Sequence, residues 1–239
     1  MASPSPPLGP PPFELNDADR EVLAQTDDQF HLHTWGDLKQ IIADNDLGIL
    51  KRKPSDLVRY IQWSQETQAA YGTISNFICL RRLCWQPRQP LGSGREPVFD
   101  FNDLTPFADP DDYKILRNDW PYGFTPDITH LVVWLKVPIP TDPLTGDLTP
   151  ASKAILEKFI QRTFVDDLAR RGLTEDRVQW FKNWAALQSV RGLEHMHVLV
   201  RDVPAEVITE WTGDESLQQT VDGNATVGDG AVPSARNLR

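Results

Sequence analysis

The sequence lacks the motifs of several large enzyme classes. It has no glycine-rich phosphate loop, no dinucleotide-binding fingerprint and no Gly-x-Ser-x-Gly elbow. ATPases, NAD-dependent dehydrogenases and α/β-hydrolases build their ligand sites or nucleophiles from these motifs. The sequence therefore predicts none of these three classes, and we expect no cofactor.

Cysteine is scarce, and long apolar runs are missing. Cys79 and Cys84 are the two cysteines, and their spacing fits neither a Cys-x-x-Cys metal site nor a secreted disulfide framework. No apolar run approaches the roughly 18 residues of a membrane helix, and the N-terminus has no charged and apolar signal segment. We expect buried, reduced thiols and a soluble cytosolic protein without a membrane partner.

Both ends of the chain have a low-complexity composition. Residues 1–12 contain six prolines and no charge, and the segment from Thr212 onward is rich in Gly, Asp, Ser, Thr and Gln. Such segments bury too little apolar surface to fold. We predict a disordered leader over 1–13, a single domain over 14–211 and a disordered tail over 212–239.

The domain changes character along its length. Helical spacing dominates about 34–85, where we predict helices capped by Thr34 and Ser55 and a third over 73–83. Residues 98–127 mix turn formers with aromatics and predict a long ordered loop. The half over about 128–211 contains three runs with strand alternation, 128–137, 178–184 and 194–201. It also contains a long amphipathic helix over 150–171 and a short last helix over 204–211. This order predicts an α+β domain with a small, mostly antiparallel sheet packed against helices on one side.

Each predicted strand has one aliphatic face and one mixed face, because successive side chains point to opposite sides. In the last strand His195 and His197 share the mixed face. If the aliphatic faces all turn to the helices, the mixed faces form one surface that carries His130, Trp134, Lys136, His195, His197 and Arg201. Two or three imidazoles on one surface indicate a functional site or a hydrogen-bonded polar face.

The segment 118–123, Asn-Asp-Trp-Pro-Tyr-Gly, has two interpretations. Asn, Asp and Pro favour a turn, and Gly123 permits positive φ, so the segment can simply anchor the rings of Trp120 and Tyr122. Alternatively Asp119 is a buried carboxylate beside a site, since a charge among aromatics has to be paired.

Charge is unevenly distributed in a chain of net charge −10. Residues 51–95 contain eight basic and two acidic residues, whereas residues 14–50 contain nine acidic and two basic ones. The basic segment is either a solvated surface or a docking surface for RNA or another polyanion. In the second case the contacting residues are Lys51, Arg52, Lys53, Arg81 and Arg82.

Four motifs in this order resemble the fungal N-acetylglucosamine-induced protein family: Asn118 to Gly123, His130-Leu-Val-Val-Trp-Leu-Lys136, Trp180-Phe-Lys-Asn-Trp184 with Ser189-Val190, and Glu194-His-Met-His-Val198. The similarity spans about 34–202. A similar branch is that of the arginine-containing cyclodipeptide synthases, fungal secondary-metabolism enzymes that condense aminoacyl groups from charged tRNAs. The Asp-Asp-x-x-Glu motif associated with that branch is missing, because segments 111–115 and 118–122 lack the final Glu.

The resemblance implies an aminoacyl transferase that takes arginyl-tRNA and a second aminoacyl-tRNA. Such a reaction needs a base, for which His195 and His197 are candidates. It also needs oxyanion donors, which Lys136, Lys182 or Asn183 could supply. Asp119 or Glu194 would bind a substrate guanidinium, and Ser189 is a candidate nucleophile, although a serine in a turn often only bonds backbone.

Two further hypotheses remain open. His130, His195 and His197 could hold zinc or iron with an open position. In the other hypothesis the protein is a non-enzymatic binder of an amino sugar or small metabolite, which would stack on Tyr122, Trp134, Trp180 and Trp184.

Overall fold

The structure is a computed structural model that describes residues 15, 17–89, 97–184, 187–190 and 192–214. The predicted leader and the predicted tail beyond Asp214 lie outside these residues. The α-helices are α1 (Asp17–Leu23), α2 (Trp35–Ala43), α3 (Pro54–Tyr71), α4 (Ile74–Phe77), α5 (Pro150–Ile160), α6 (Asp166–Arg170) and α7 (Ala205–Thr212). The strands are β1 (Tyr113–Arg117), β2 (Ile128–Leu135), β3 (Val178–Phe181) and β4 (Glu194–Arg201). Among the described residues, none of the helices is long and apolar enough to cross a membrane.

Within the described residues the four strands form one antiparallel sheet in the order β1-β2-β4-β3. This arrangement confirms the α+β fold. Strand β1 lies inside the predicted loop 98–127, so that part of the prediction was wrong. It has only five residues and carries Lys114 and Arg117, so its alternation is too short and too polar to stand out among the surrounding turn formers.

The aliphatic face of the sheet forms the main core with α5, α6 and α7. Leu131, Val133 and Leu135 of β2 share this core with three residues of β4, Met196, Val198 and Val200. A π-helical turn, Gln161–Val165, joins α5 to α6. The long amphipathic helix predicted over 150–171 is therefore confirmed, with Phe159, Phe164 and Leu168 fully buried.

The second face of the sheet is covered too, unlike the expectation of helices on one side. Val132 and Trp134 pack with Ile78, Cys79 and Leu83 of the π-helical turn that follows α4, Ile78–Leu83. Phe181 and Leu199 pack with Trp35, Leu38 and Ile41 of α2. The polar residues of this face therefore lie between the sheet and the N-terminal helices.

Two of the three helix starts predicted over 34–85 are confirmed. The Thr34 side chain caps α2 in a capping box with Asp37, and Thr73 caps α4. Ser55 is not the cap of α3, since the helix begins at Pro54 and the Ser55 hydroxyl donates to Asp27. Proline fits the first helical position because it needs no backbone N–H there.

The two cysteines are both free thiols, but only one is buried. Cys79 lies in the core, where burial raises its pKa to about 11, whereas Cys84 is exposed. A thiol with so high a pKa is protonated at neutral pH and is a poor nucleophile. Cys79 therefore serves packing, as expected, and the expected burial of Cys84 was wrong.

Candidate functional site

A pocket opens where the second face of the sheet meets α3 and the turn Ile78–Leu83. Its enclosed cavity has a volume of only about 60 Å³, and its mouth opens to solvent. The cavity therefore admits a small group of a ligand, while the rest of the ligand would lie at the mouth. We call it the arginine pocket, because Arg52, Arg82 and Arg117 line it. Its other polar lining residues are Asn118, Asp119, Ser189, His195 and His197, and its aromatic lining residues are Tyr60, Trp63, Trp120, Tyr122 and Trp134.

Strand register explains why these side chains meet. His195 lies directly opposite Trp134, and His197 lies opposite Val132 and Phe181. Opposite residues of antiparallel strands share a face, so His130, His195 and His197 all turn to the second face. The edge strand β3 presents Phe181 to His197, while Trp180 packs against the main core.

Five polar side chains form a continuous hydrogen-bonded chain under the pocket. Asn118 Oδ1 accepts from the Trp120 N–H, and Asn118 Nδ2 lies 3.3 Å from both ring nitrogens of His130. His130 Nε2 lies 2.9 Å from His197 Nδ1. At its other end His197 Nε2 lies 3.3 Å from Asn183 Nδ2, which also contacts the Tyr122 hydroxyl at 3.1 Å. Both ring nitrogens of His197 are therefore engaged inside the protein.

His195 differs from its neighbours in having one ring nitrogen available. Its Nδ1 lies 2.7 Å from the Leu193 carbonyl oxygen. A carbonyl only accepts, so Nδ1 carries the proton and Nε2 carries the lone pair. Nε2 has no hydrogen-bond partner among the described residues. The ring stacks beside Trp134, with centroids 4.7 Å apart.

Burial keeps the three histidines neutral. It lowers the pKa of His130 to about 3, and it lowers the pKa of His195 and of His197 below their ordinary value. The positive charge of Arg52 acts in the same direction on His130, whereas the Leu193 hydrogen bond and Glu194 partly offset the shift of His195. A neutral imidazole can accept a proton at neutral pH, and only His195 has a free nitrogen with which to do so.

We expect the free energy of unfolding to decrease as the pH falls from about 6.5 to about 4.5. The unfolded chain binds protons on His130, His195 and His197 in this window, whereas the folded protein, with lowered pKa values, does not. Each histidine contributes up to about 1.4 kcal/mol per pH unit. Urea denaturation across this range measures how steeply the free energy of unfolding depends on pH. In a His195→Asn variant this slope should be smaller by the contribution of one histidine. An unchanged urea midpoint would show that these imidazoles are not buried as neutral groups.

Asp119 lines the pocket, but its side chain is 44% exposed, so the interpretation of a buried carboxylate was wrong. Its carboxylate receives two parallel hydrogen bonds from Arg82, at 2.9 Å from Nε and 2.8 Å from Nη2. Partial desolvation by the neighbouring side chains raises the pKa of Asp119, and Arg82 partly offsets this shift. The fork geometry expected for a substrate guanidinium is therefore occupied by the protein's own arginine.

The other two arginines of the pocket are held differently. Arg52 Nε donates to the Trp120 carbonyl, and its guanidinium lies 3.9 Å from the centroid of the Tyr60 ring. Arg117, at the end of β1, makes no ion pair or hydrogen bond within the described residues, and burial lowers its pKa. Neither cation is paired with a carboxylate that lines the pocket, although the negative charge of Asp214 partly offsets the lowered pKa of Arg117.

Several predicted site residues lie elsewhere. Lys136 pairs with the buried Asp112 at 3.6 Å, and Lys182 pairs with Glu194 at 3.0 Å. Neither pair lines the arginine pocket, and Trp184 packs beside Phe181 instead. Asn183 reaches the site only through Tyr122 and His197. Alternation accounts for Glu194, which is next to His195 in β4 and points to the other face. Lys136, Lys182 and Trp184 follow the ends of β2 and β3, so strand alternation does not fix their direction.

The predicted RNA-contacting residues are largely paired with acids. Lys51 pairs with Asp19, Lys53 with Asp27 and Arg82 with Asp119. Arg52 turns into the pocket, and Arg81 is exposed. A polyanion at this segment would have to displace carboxylates from most of these cations.

The buried histidines do not form a common metal-binding point. His130, His195 and His197 do not bring three ligand atoms within 4.8 Å of one another. One nitrogen of His195 is used by Leu193, and His130 and His197 are bonded to each other. This geometry favours the hydrogen-bonded polar face over the metal hypothesis at these residues.

Gly123 closes the segment 118–123 for a different reason from the one expected. Its φ is not in the positive region, but a Cβ at this position would lie 2.3 Å from Phe30 Cε1. The Phe30 ring therefore packs directly on the glycine backbone. Close approach, and not turn geometry, requires glycine here.

Gly123→Ala should lower the free energy of unfolding by about 1–3 kcal/mol, because the methyl group overlaps the Phe30 ring. Thermal denaturation measures the effect. In a double-mutant cycle, Phe30→Leu should remove part of the cost of Gly123→Ala. Strictly additive losses would mean that the two residues do not compete for this space.

Three of the charged and aromatic lining residues were not predicted from the sequence. Arg117 lies in the unpredicted strand β1, and Tyr60 and Trp63 lie on α3. Tyr60 and Trp63 are three apart, a spacing that places them on one helix face. That spacing was the available signal, whereas nothing local marks Arg117.

The fold and the pocket define a class: an α+β domain whose second sheet face carries a pocket lined by a neutral histidine and three arginines. Residues 34–201 match the family described as "Protein of unknown function (DUF3605)". The chain belongs to this family.

Two curated proteins are similar to the chain. N-acetylglucosamine-induced protein 1 of Candida albicans is 31% identical over 185 residues, which cover 74% of this chain and 71% of the relative. Uncharacterized protein YPL067C of Saccharomyces cerevisiae is 31% identical over 167 residues, 70% of this chain and 77% of the relative. The crystal structure of HTC1 superimposes with a TM-score of 0.55 at 26% identity and covers 74% of this chain and 91% of that one.

Proposed function

We propose that the arginine pocket binds a small organic anion, and that His195 removes a proton from a hydroxyl or amine of that ligand. The observation that carries the proposal is the composition of the lining. Three guanidiniums line the pocket with one lining carboxylate, Asp119, which Arg82 already binds. Asp214 lies outside the lining, 3.9 Å from Arg82. An anionic group would complete the charge balance beside Arg52 and Arg117.

The aromatic wall suits the uncharged part of such a ligand. Tyr60, Trp63 and Trp120 form one cluster, with centroids of neighbouring rings 5.3–5.9 Å apart. Their faces and edges offer an apolar surface on which a sugar or a planar ring can pack. The ligand class is therefore a small ring compound with a phosphate or carboxylate group.

The first compounds to test come from the name of the Candida relative, which reports induction by N-acetylglucosamine. Glucosamine 6-phosphate carries the ring, the amine and the anion that the pocket would contact, and glucosamine lacks the anion. Isothermal titration should detect binding of the phosphate ester and much weaker binding of the neutral sugar.

Arg117→Gln should weaken binding of the phosphate ester at least about tenfold, since a hydrogen bond to a charged group contributes roughly 1.5–3 kcal/mol. Arg88→Gln is the matched control, because Arg88 pairs with exposed Asp100 and does not line the pocket. His195→Asn should leave affinity nearly unchanged. Equal affinity for glucosamine and its phosphate, or no binding of any anion in a wider panel of phosphates and carboxylates, would refute the proposal.

A second proposal is tRNA-dependent aminoacyl transfer that forms an arginine-containing cyclic dipeptide. The observation that favours it is that Ser189 and the neutral base His195 line one pocket together with arginines that can contact a terminal phosphate. An arginyl side chain would have to replace Arg82 on Asp119 in this reaction. Lys182 would not take part directly, because it lies outside the pocket.

Incubation of the purified protein with mixed aminoacylated tRNAs tests this second proposal. Mass spectrometry should reveal an arginine-containing cyclic dipeptide, and ribonuclease treatment should abolish it. If intact charged tRNAs of every type give no product, the tRNA proposal fails while the small-anion proposal stands.

A further inference from the structure

A second group of ligating side chains lies outside the arginine pocket, beside the start of α2. The ligand atoms of His31, His33 and Asp37 all lie within 4.8 Å of one another. His31 Nε2 is 3.1 Å from Asp37 Oδ2, and the two imidazole rings are 5.6 Å apart in an edge arrangement. Three groups of this kind at this separation can reach a single ion.

Two of these residues are fixed by the fold. The His33 N–H donates to the Gly123 carbonyl at 3.0 Å, and the His33 carbonyl accepts from the Thr125 N–H at 3.1 Å. Asp37 accepts from the Thr34 N–H and hydroxyl in the capping box. The site is therefore largely organised without an ion, which reduces the entropic cost of binding one.

The outer contact of His33 is of the type found at metal sites. Burial lowers the pKa of His33, and a polar contact with the backbone of Ile49 counteracts this shift. A metal-binding histidine usually engages a backbone carbonyl or carboxylate with its second nitrogen, which fixes the ring and leaves the first nitrogen for the ion. His31 is exposed, so an ion can enter from solvent.

We propose that His31, His33 and Asp37 form a binding site for a divalent transition-metal ion such as zinc. Two imidazole nitrogens and one carboxylate oxygen are donors that suit Zn²⁺, Co²⁺ or Ni²⁺, whereas Mg²⁺ and Ca²⁺ prefer oxygen alone. Three protein ligands leave positions for water or another ligand. The positive end of α2 opposes a cation here, and the negative charge of Asp37 offsets it.

The test uses the untagged full chain after treatment with a chelator. Isothermal titration with ZnCl₂ should give about one equivalent, and Co²⁺ should produce the visible absorption bands of a protein-bound ion. His31→Ala should weaken binding at least about 100-fold, more than the loss of an outer contact causes. His33→Ala should do the same. His31→Ala is the more informative variant, because His31 is exposed and its replacement should leave the domain folded.

Two control variants make the outcome specific. Asp46→Asn removes an exposed acid near α2 that makes no side-chain capping bond, and His195→Asn removes an imidazole from the arginine pocket. Both should retain the ion. Equal binding by the wild type and His31→Ala would overturn the proposal, as would loss of the ion in His195→Asn alone. These results are independent of whether the arginine pocket binds an anion.

Discussion

Replacing His195 by asparagine should lower product formation about 10²–10⁴-fold, the usual contribution of a general base, while the domain stays folded. Asparagine Nδ2 can keep the bond to the Leu193 carbonyl that His195 Nδ1 makes, but no group replaces Nε2. Mass spectrometry of extracts compares cells that express the wild type with cells that express His195→Asn. The measured quantity is the amount of each metabolite that appears only when the wild type is expressed.

Glutamine at the same position gives the complementary variant. His195→Gln places an amide near Nε2 but leaves the Leu193 carbonyl without its donor, so it should lose both activity and some stability. His197→Gln should mainly destabilise, because both nitrogens of His197 are used internally. If folded His195→Asn protein makes the same products at the same level, His195 is not the base.

Lys182→Met should lower the free energy of unfolding by about 3–5 kcal/mol, the usual cost of leaving one charge of a buried pair alone. Lys182 and Glu194 have side chains only 8% and 18% exposed, and Nζ lies 3.0 Å from Oε1. Methionine keeps the length of the side chain and removes the charge. Urea denaturation with linear extrapolation measures the loss.

The double variant Lys182→Met/Glu194→Gln should recover most of that stability. Glutamine removes the unpaired charge and keeps an oxygen for the Ile139 N–H, which Glu194 Oε2 binds at 3.0 Å. Lys153→Met is the matched control, since its pair with Glu157 is exposed and should contribute less than about 1 kcal/mol. If Lys182→Met and Lys153→Met lowered the free energy of unfolding by similar amounts, the Lys182–Glu194 pair would not be buried in solution.

Strand alternation was the pattern in the sequence that predicted the site best. It placed His130, His195 and His197 on one face, and the register confirms that Trp134 and His195 are opposite each other. It also predicted the aliphatic face that packs on α5. A buried face demands a strict period of two, and that is why these assignments could be made from one sequence.

Long-range pairing was what the sequence could not show. Asp119 was expected to be buried, but nothing near it indicated that Arg82, 37 residues earlier, would bind it. In the same way Lys182 and Glu194 were read as site residues because no local feature reveals their mutual contact. Such partners are set by how helices dock on the sheet, and composition does not encode that docking.

Because the N-terminal helices cover the second sheet face, ligand binding in the pocket requires both halves of the domain to be folded. Arg52 and Arg82 come from the helical half, whereas Arg117 and His195 come from strands. A compound that contacts both halves binds only the folded domain, and at 100 times its dissociation constant it adds about 2.7 kcal/mol. A thermal-shift screen of unbiased metabolite libraries should therefore find the natural ligand before its reaction is known.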